Sequence, residues 1–546
     1  MSSTDAEKIQ ASSIQEETDL AQTPEDDDTP EQKYVTGWKL RVICIGLLVS
    51  LYIGQLETTI TSSAVLDITN HLGGYAKSPW IFTAYLLTYC GLQMIWAKLS
   101  DIIGRKISFL TALAIFVVFS ACCGASQTLI QLIMFRWCQG IGGSGVFILT
   151  QVVFFELMPP EKWPQNLSLV SAIIAFSMVC GPLVGGALSN HGQWRWIFLL
   201  NVPIGASMFV LLLLFFPKRL WNEPATAAPK ENKMLSSKSL RRVDVLGSAL
   251  LLGGCILVAT GLQQHILGYA WKSSMVLALL IFAAILLISF LTWQWFVTTK
   301  RTFPEPVFPW RFCQNRVSLG MCINTYLVGT VLMVFIVQIP QKFMTVHGLS
   351  PFSAAVRLLA FGAFIPAGTT LAGALLKARV PPCYIMVVAI IMELIGTVLL
   401  YTRPHHTNIT ADQYGFQILI GTGLGFMNAA LILMVPYVME KRDLAAGSSA
   451  ISQLRSLGGL IGVAIAASIS LPYVSSHLAQ VIRPELAAAI LERTDAIRLL
   501  SGSELEAVRQ IFADSYRLQV KLLIGFVVAQ VPVTALMWTP IIAAGQ

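Results

Sequence analysis

The sequence predicts an all-α polytopic membrane protein with fourteen transmembrane helices, arranged as two six-helix bundles plus an inserted central helix pair. Three observations carry this expectation. Of the 546 residues, 55% are hydrophobic and only 12% are charged, and the mean hydropathy is +0.67, too apolar for a chain surrounded by water. Predominantly apolar segments of about 20 residues, enough to cross a hydrocarbon layer about 30 Å thick, recur along it. Such segments must be helical, because an isolated strand leaves its backbone groups unpaired in lipid.

The elements follow in chain order. Residues 1–36 are polar and acidic and read as a disordered cytosolic tail. They hold no apolar core before a small-residue cleavage site, so no cleavable signal peptide is expected. The predicted spans are 40–62, 79–99, 107–125, 130–155, 165–189, 196–216, 243–263, 274–298, 316–340, 353–376, 383–401, 413–438, 447–471 and 518–540. An even number brings both termini to one side. The polar, Pro/Ser/Lys-rich stretch after the sixth span reads as a linker. The expected domains are a bundle over 37–217, a cytosolic linker over 218–242, the inserted pair over 243–300, and a second bundle over 301–546 with an external loop at 472–516.

Loop charge sets the orientation. Arg105 and Lys106, Lys162, the run from Lys218 to Arg242, Lys300 to Arg316, Lys377 and Arg379, and Lys441 and Arg442 all fall on the tail side. That side is therefore expected to be cytosolic. Asn408, in Asn408-Ile409-Thr410, then lies in an external loop as a glycosylation acceptor, whereas the sequon at Asn166 is cytosolic and stays bare. All seven histidines come out external. The net charge of +8 is explained by these short groups, which excludes a nucleic-acid partner. The ten cysteines sit in or beside apolar segments with no metal-ligand spacing, so they read as packing residues and no metal site is expected.

Two ladders of small residues match in position. The fifth span carries Ser177, Gly181, Gly185 and Ser189, and the thirteenth carries Gly458, Gly462, Ala466 and Ser470. Such ladders let helix backbones approach closely. They become equivalent if two repeated bundles are separated by the inserted pair, the layout of a parallel-repeat transporter.

Charges inside the spans are the candidate chemistry. Counting from Arg41 at about 1.5 Å per residue places Glu57 roughly 24 Å into the first helix, beyond the midplane. Gly54, Glu57, Thr58 and Thr61 share one face, a polar stripe suited to a cavity. The fourth helix runs the other way and brings Arg136 to similar depth, on a face with Gln139, Gly140, Gly143 and Phe147. An unpaired charge there costs at least about 2.5–3.5 kcal/mol, so Glu57 and Arg136 are expected to pair. A static pair that only fixes packing and a proton switch at Glu57 both fit this. In AKLSDIIGRK, Gly104 permits a tight turn on the tail side. Asp101 is placed to face a helix N-terminus and Arg105 to reach Glu156. CGPLVGG joins Gly181, Pro182, Gly185 and Gly186 within two turns, a joint suited to a gate.

These motifs resemble those of the major facilitator superfamily, specifically the fourteen-helix drug:proton antiporter family and its fungal multidrug and toxin efflux pumps. The resemblance spans about residues 40–540. LETTITSSA is similar to L-D-x-T-I-V with Glu57 for Asp, and AKLSDIIGRK to G-x-L-x-D-R-x-G-R-[RK] with Ala97 and Ile102 departing. RWCQGIGG resembles R-x-x-Q-G-x-G, and CGPLVGG resembles G-P-x-x-G-G. WRWIFLLNVPIG, RRVDVLG and QLRSLGGLIGVAI are also like the family's pattern.

The resemblance implies proton coupling through Glu57 and Arg136, and a conformational switch at Asp101, Gly104, Arg105 and Glu156. It implies export by alternating access of two bundles, moving small amphiphilic compounds with protons and no cofactor across the cell membrane, as a monomer. A vacuolar basic amino-acid or siderophore transporter is the alternative. It further implies a cavity lined by helices one, four, nine and twelve, making Thr61, Gln139, Gln151, Asn324, Tyr326, Gln338 and Asn428 cargo candidates; each may equally serve a neighbouring helix backbone. A membrane enzyme would need a His/Asp or Cys nucleophile constellation, which the scattered histidines do not supply. Glu393, within the eleventh span, has no assigned role.

Overall fold

A computed structural model describes residues 37–158, 163–190, 192–216, 244–300, 306, 308, 310–403, 409–438 and 444–538. The tail at 1–36, the linker at 218–242 and the sequon residue Asn408 lie outside the described residues. The long helices are α1 (Trp38–Ile60), α2 (Pro79–Ile103), α3 (Arg105–Ala125), α4 (Leu129–Leu157), α5 (Trp163–Asn190), α6 (Asn201–Phe215) and α7 (Val245–Ile266). They continue as α8 (Ser274–Lys300), α9 (Arg316–Thr345), α10 in two pieces (Pro351–Gly362 and Phe364–Lys377), α11 (Pro382–Thr402), α12 (Asp412–Val438), α13 (Leu444–Val481) and α14 (Gly502–Leu536).

Local chemistry fixes many of the helix starts. Thr128, Asp244, Asn315 and Ser350 each accept a hydrogen bond from a backbone N–H of the first turn, satisfying a donor that the helix cannot. Pro79, Pro351 and Pro382 open their helices where no N–H is needed. Between α2 and α3 the chain reverses through Gly104 alone, at φ 101° and ψ 147°, a conformation a side chain would strain.

Thirteen helices among the described residues are long and apolar enough to cross a membrane. Helix α2 is not one of them, although its 25 residues are long enough. It carries Thr83, Tyr85, Thr88, Tyr89 and Gln93, all buried against protein, so its polar groups are covered by neighbouring helices rather than by lipid.

The expected loop at 472–516 is corrected by the structure. Helix α13 runs on to Val481, a short helix covers Pro484–Glu492, a 3-10 turn covers Thr494–Leu499, and α14 begins at Gly502. Charge in this region ends the hydrocarbon-crossing pattern but not the helical one. Ile490, Val508, Ile511 and Phe512 repeat at helical spacing and are buried.

Glycines decide which helices touch. A Cβ on Gly181 would lie 2.1 Å from Thr59 Oγ1, and one on Gly185 would lie 2.1 Å from the Ile60 carbonyl, so α5 packs on α1. In the second half, a Cβ on Gly458 would lie 2.0 Å from the Tyr326 carbonyl and one on Gly462 2.6 Å from Thr330, so α13 packs on α9. The two ladders thus serve corresponding pairs. Helix α4 uses glycines on two faces: Gly140 and Gly143 abut Tyr85 of α2, whereas Gly142 and Gly145 abut Phe116 and Ala112 of α3.

At the end of the molecule opposite the N-terminus, the two halves close on each other. A Cβ on Gly186 would lie 2.7 Å from the Pro351 carbonyl, placing α5 against the start of α10. Asn70, on the short helix after α1, accepts from Thr494 Oγ1 at 3.2 Å and from the Asp495 N–H at 3.3 Å. Beside them burial pushes the Tyr75 phenol up to about 12, which keeps it a neutral hydrogen-bonding group next to Tyr516. Beneath this closure lies a cavity of about 50 Å³ lined by Tyr75, Phe82, Val334, Gln341, Ser470 and Tyr516.

The contact between α13 and α9 is directly testable. Gly458→Leu is expected to cost at least the roughly 1–3 kcal/mol of an overpacked core, lowering the melting temperature of the purified chain by several degrees. Gly525→Ala, where a Cβ meets nothing within 4 Å, should leave it unchanged. A Gly458→Leu protein melting with the parent would contradict this packing.

Candidate functional site

The first cluster is built around Glu57, which sits within the last turn of α1 and is 0% exposed. Arg136 of α4, 1% exposed, donates from Nη1 to Glu57 Oε1. The same nitrogen donates to Gln139 Oε1 at 2.9 Å, and Nε donates to the Ile81 carbonyl at 3.1 Å. Asn201, the first residue of α6, donates from Nδ2 to the other carboxylate oxygen at 2.5 Å. Gln139 in turn donates to Ser120 of α3 at 2.8 Å. The rings of Tyr85 and Phe198 flank the guanidinium, with centroids 4.5 and 5.7 Å away.

The expected pairing of Glu57 with Arg136 is therefore present, but its surroundings differ from the expected open stripe. The two groups face inward among α1, α2, α3, α4 and α6, and Thr61 and Gln139 are fully buried beside them. Gln139 belongs to this ion-pair network and not to a cargo surface. Glycines Gly140 and Gly143 let α4 approach α2 closely enough to carry Arg136 inside.

The second cluster closes the opposite end of the same half. Arg105 contacts Asp101 Oδ1 at 2.5 Å and Glu156 Oε1 at 2.7 Å, and also donates to Ser100 Oγ. Gly104 makes this geometry by turning α3 back directly beside α2. Lys106 donates to the Leu213 carbonyl of α6 at 2.7 Å. Asp101, expected to face a helix N-terminus, pairs with Arg105, the first residue of α3. The Gly-Pro motif forms a third contact: Gly181 and Gly185 receive α1, Gly186 receives α10, and the Pro182 carbonyl accepts from Ser63 Oγ at 2.7 Å.

Several cargo candidates turn elsewhere. Asn324 donates to Thr534 Oγ1 of α14 at 2.9 Å, and Gln338 donates to the Tyr516 carbonyl of α14 at 2.8 Å. Both tie α9 to α14 instead of facing a space between the halves. Asn324 is turned from the space between the halves by the packing of Gly329 on α13, whereas Gln338 also lines a small cavity within the second half, with Phe343, Gln417 and Arg517. Gln151 and Tyr326 are half-buried, and Asn428 accepts from Arg455 Nη1 at 3.1 Å.

Four polar residues with structural consequence carried no sequence assignment. Asn201 completes the Glu57 site; its signal was an amide at the start of an apolar helix. Asp244, inside RRVDVLG, caps α7 and accepts from Trp293 Nε1 at 2.8 Å and Gln294 Nε2 at 2.7 Å, fastening α7 to α8. Glu393 is 0% exposed and takes one hydrogen bond, from Gln530 Nε2 of α14 at 3.1 Å. Arg455, in QLRSLGG, is a lone charge in an apolar span, the same signal that marked Glu57.

A buried acid paired with an arginine makes a double substitution informative. Arg136→Ala should destabilise the chain by about 3–5 kcal/mol, because it leaves the Glu57 carboxylate uncompensated. Adding Glu57→Gln should recover much of that loss in thermal unfolding. A double variant as unstable as the sum of its single changes would mean that the two charges do not stabilise one another.

Comparison with known proteins agrees with this architecture. Residues 46–303 match the description "Major Facilitator Superfamily". The MFS-type transporter FPY5 of Fusarium mangiferae is 35% identical over 508 residues, covering 93% of this chain and 85% of that protein. The efflux pump aflT of Aspergillus parasiticus is 28% identical over 466 residues, covering 84% and 87%. Among solved structures, an inward-facing, unoccupied bacterial homologue of the human lysosomal transporter Spinster superposes with a TM-score of 0.61 at 15% identity, covering 93% of this chain and all of that one, a likeness of fold alone. With its buried ion pair, its charged tight turn and its matched glycine ladders, the chain belongs to the major facilitator superfamily, a family of transporters and not of enzymes.

Proposed function

We propose that the protein is a proton-coupled efflux pump for small amphiphilic organic compounds of the drug or secondary-metabolite kind, working by alternating access. In this reading α1–α6 and α9–α14 are the two moving bundles, α7 and α8 are the inserted pair, and α2 is the fourteenth span. Both termini are cytosolic, and one chain holds the complete pathway. The likeness to the efflux pump aflT of Aspergillus parasiticus supports export.

The observation that carries the coupling is the ligand set of Glu57. A carboxylate is matched by Arg136 and by the amide of Asn201. Asn201 Oδ1 has no partner among the described residues. Rotation of that amide would turn an acceptor toward the acid, so the same residue suits a protonated Glu57. An acid whose surroundings fit both states can release a proton without collapse of the bundle. The cytosolic switch is then the Asp101–Arg105–Glu156 cluster, which ties the α2–α3 turn to the end of α4 and must yield when the bundles rock. The Gly-Pro joint of α5 acts as the outer gate, since its glycines touch both α1 and α10.

The reading is tested in vesicles containing the full chain, under an imposed proton gradient, with fluorescent aromatic compounds of either charge. The parent chain should accumulate at least one of them against its gradient. Glu57→Gln should reduce that driven flux at least tenfold while passive exchange of the same compound persists. Driven flux at the parental level in Glu57→Gln would remove the proton role, and no driven flux in the parent with any compound would remove export.

A further inference from the structure

Arg455 differs from Arg136 in having almost nothing to hold. It lies on α13 and is half-buried, and its backbone is pressed against Gly329 of α9, where a Cβ would sit 1.9 Å from the Arg455 carbonyl. Among the described residues its guanidinium makes one hydrogen bond, from Nη1 to Asn428 Oδ1 of α12 at 3.1 Å. A guanidinium has five N–H donors in a planar fork. Among the described residues, the ion pairs made by Arg105, Arg136, Arg403 and His71 leave Arg455 without a carboxylate.

Its direction is given by what it reaches. Asn428 belongs to the second half of the chain, while Gln453, two residues before Arg455 on α13, reaches the Cys90 carbonyl of α2, next to Tyr89 in the first half. A side chain between α12 and α2 points into the space between the halves, away from lipid. The halves are joined at this level, since Gln453 donates to the Cys90 carbonyl at 2.9 Å. The wall opposite is aromatic and neutral: Tyr89 lies 5.8 Å from Phe147 between ring centroids, and its hydroxyl accepts from Gln55 at 2.8 Å. The acid of this half, Glu57, is turned away and neutralised by Arg136.

We propose that this place is a cargo subsite for an aromatic molecule bearing an acidic oxygen, a carboxylate, sulfonate or phenolate, with Arg455 as the anion-binding residue. The inference rests on the reading of the chain as an exporter and adds the charge of what it exports. A planar guanidinium with free donors recognises two acidic oxygens at once. The neighbouring rings of Tyr89 and Phe147 supply contact for the flat body of the molecule. A cationic cargo would meet repulsion from Arg455 with no acid in the described wall to offset it.

The test compares naphthalene-2-sulfonate, always an anion, with neutral naphthalene-2-sulfonamide of nearly the same shape, binding to the purified full chain. The parent should bind the sulfonate at least tenfold more tightly. Arg455→Gln should bring the two within twofold of each other, and Arg455→Lys should retain part of the preference. Photolabelling of the parent with an azidonaphthalene sulfonate, which needs no variant to fold, should mark α2, α12 or α13. Equal affinities in the parent, an undiminished preference in Arg455→Gln, no binding of either probe, or labelling confined to other helices overturns the subsite. Failure of export is separable. A parent chain that prefers the sulfonate but moves neither probe under a proton gradient would refute export and leave the subsite, whereas driven transport of both probes at equal affinity would do the reverse.

Discussion

A charge inside hydrocarbon must find a partner, and most of the first half of this protein is arranged around that requirement. Glu57 and Arg136 come from antiparallel helices far apart in sequence, and each is completely enclosed. For them to meet, α4 must lie against α2 and α3 with little between the backbones, which is why glycines occupy both of its inward faces. The first residue of α6 must be an amide within reach of the second carboxylate oxygen. Each of these demands follows from the cost of an unpaired buried charge, about 2.5–3.5 kcal/mol or more.

The same requirement is met differently at the two ends of the molecule. On the side of the chain's start, the buried Arg105 gathers Asp101 and Glu156, whose carboxylates are partly exposed and can be taken over by water. Such a cluster can separate without stranding a charge in lipid. On the other side, closure is made by glycine contacts, by Asn70 with Thr494, and by buried phenols, and among the described residues no ion pair joins α5 to α10. Contacts of this kind are short-range and are lost together when helices part. A switch with a polar latch at one end and a packed seam at the other suits rocking of rigid bundles, because neither end needs a new charge to be buried.

What was legible in the sequence was what depends on distance along a helix. The fixed rise per residue gave the common depth of Glu57 and Arg136, and the placement of helix ends gave Arg105 with Glu156. What depends on rotation about a helix axis was not legible. Asn324 and Gln338 occupy spans that line the cavity by resemblance, yet their faces turn to α14, because Gly329 and Gly458 dictate how α9 meets α13. Hydropathy also ended α13 too early and began α14 too late, since charged residues mark the edge of the hydrocarbon and not the end of a helix, and the apolar stripe of α14 already includes Val508, Ile511 and Phe512.

Arg136 and Arg455, both deep in their spans, show why identity of residue is a weaker guide than what surrounds it. Both are isolated charges in apolar segments, and either could have been read as the partner of a transported proton. Arg136 has an acid, an amide oxygen and a backbone carbonyl among its acceptors, and two rings against its faces. Its environment is complete without any ligand. Among the described residues Arg455 has a single amide oxygen, that of Asn428, and lies on a helix that packs against the other half. A half-buried cation with so few acceptors is costly in the empty protein, and the anionic cargo proposed for it would supply the missing ones. Binding energy obtained in this way would fall where the two halves meet, which is where a transporter needs it if occupancy is to influence which way the bundles rock.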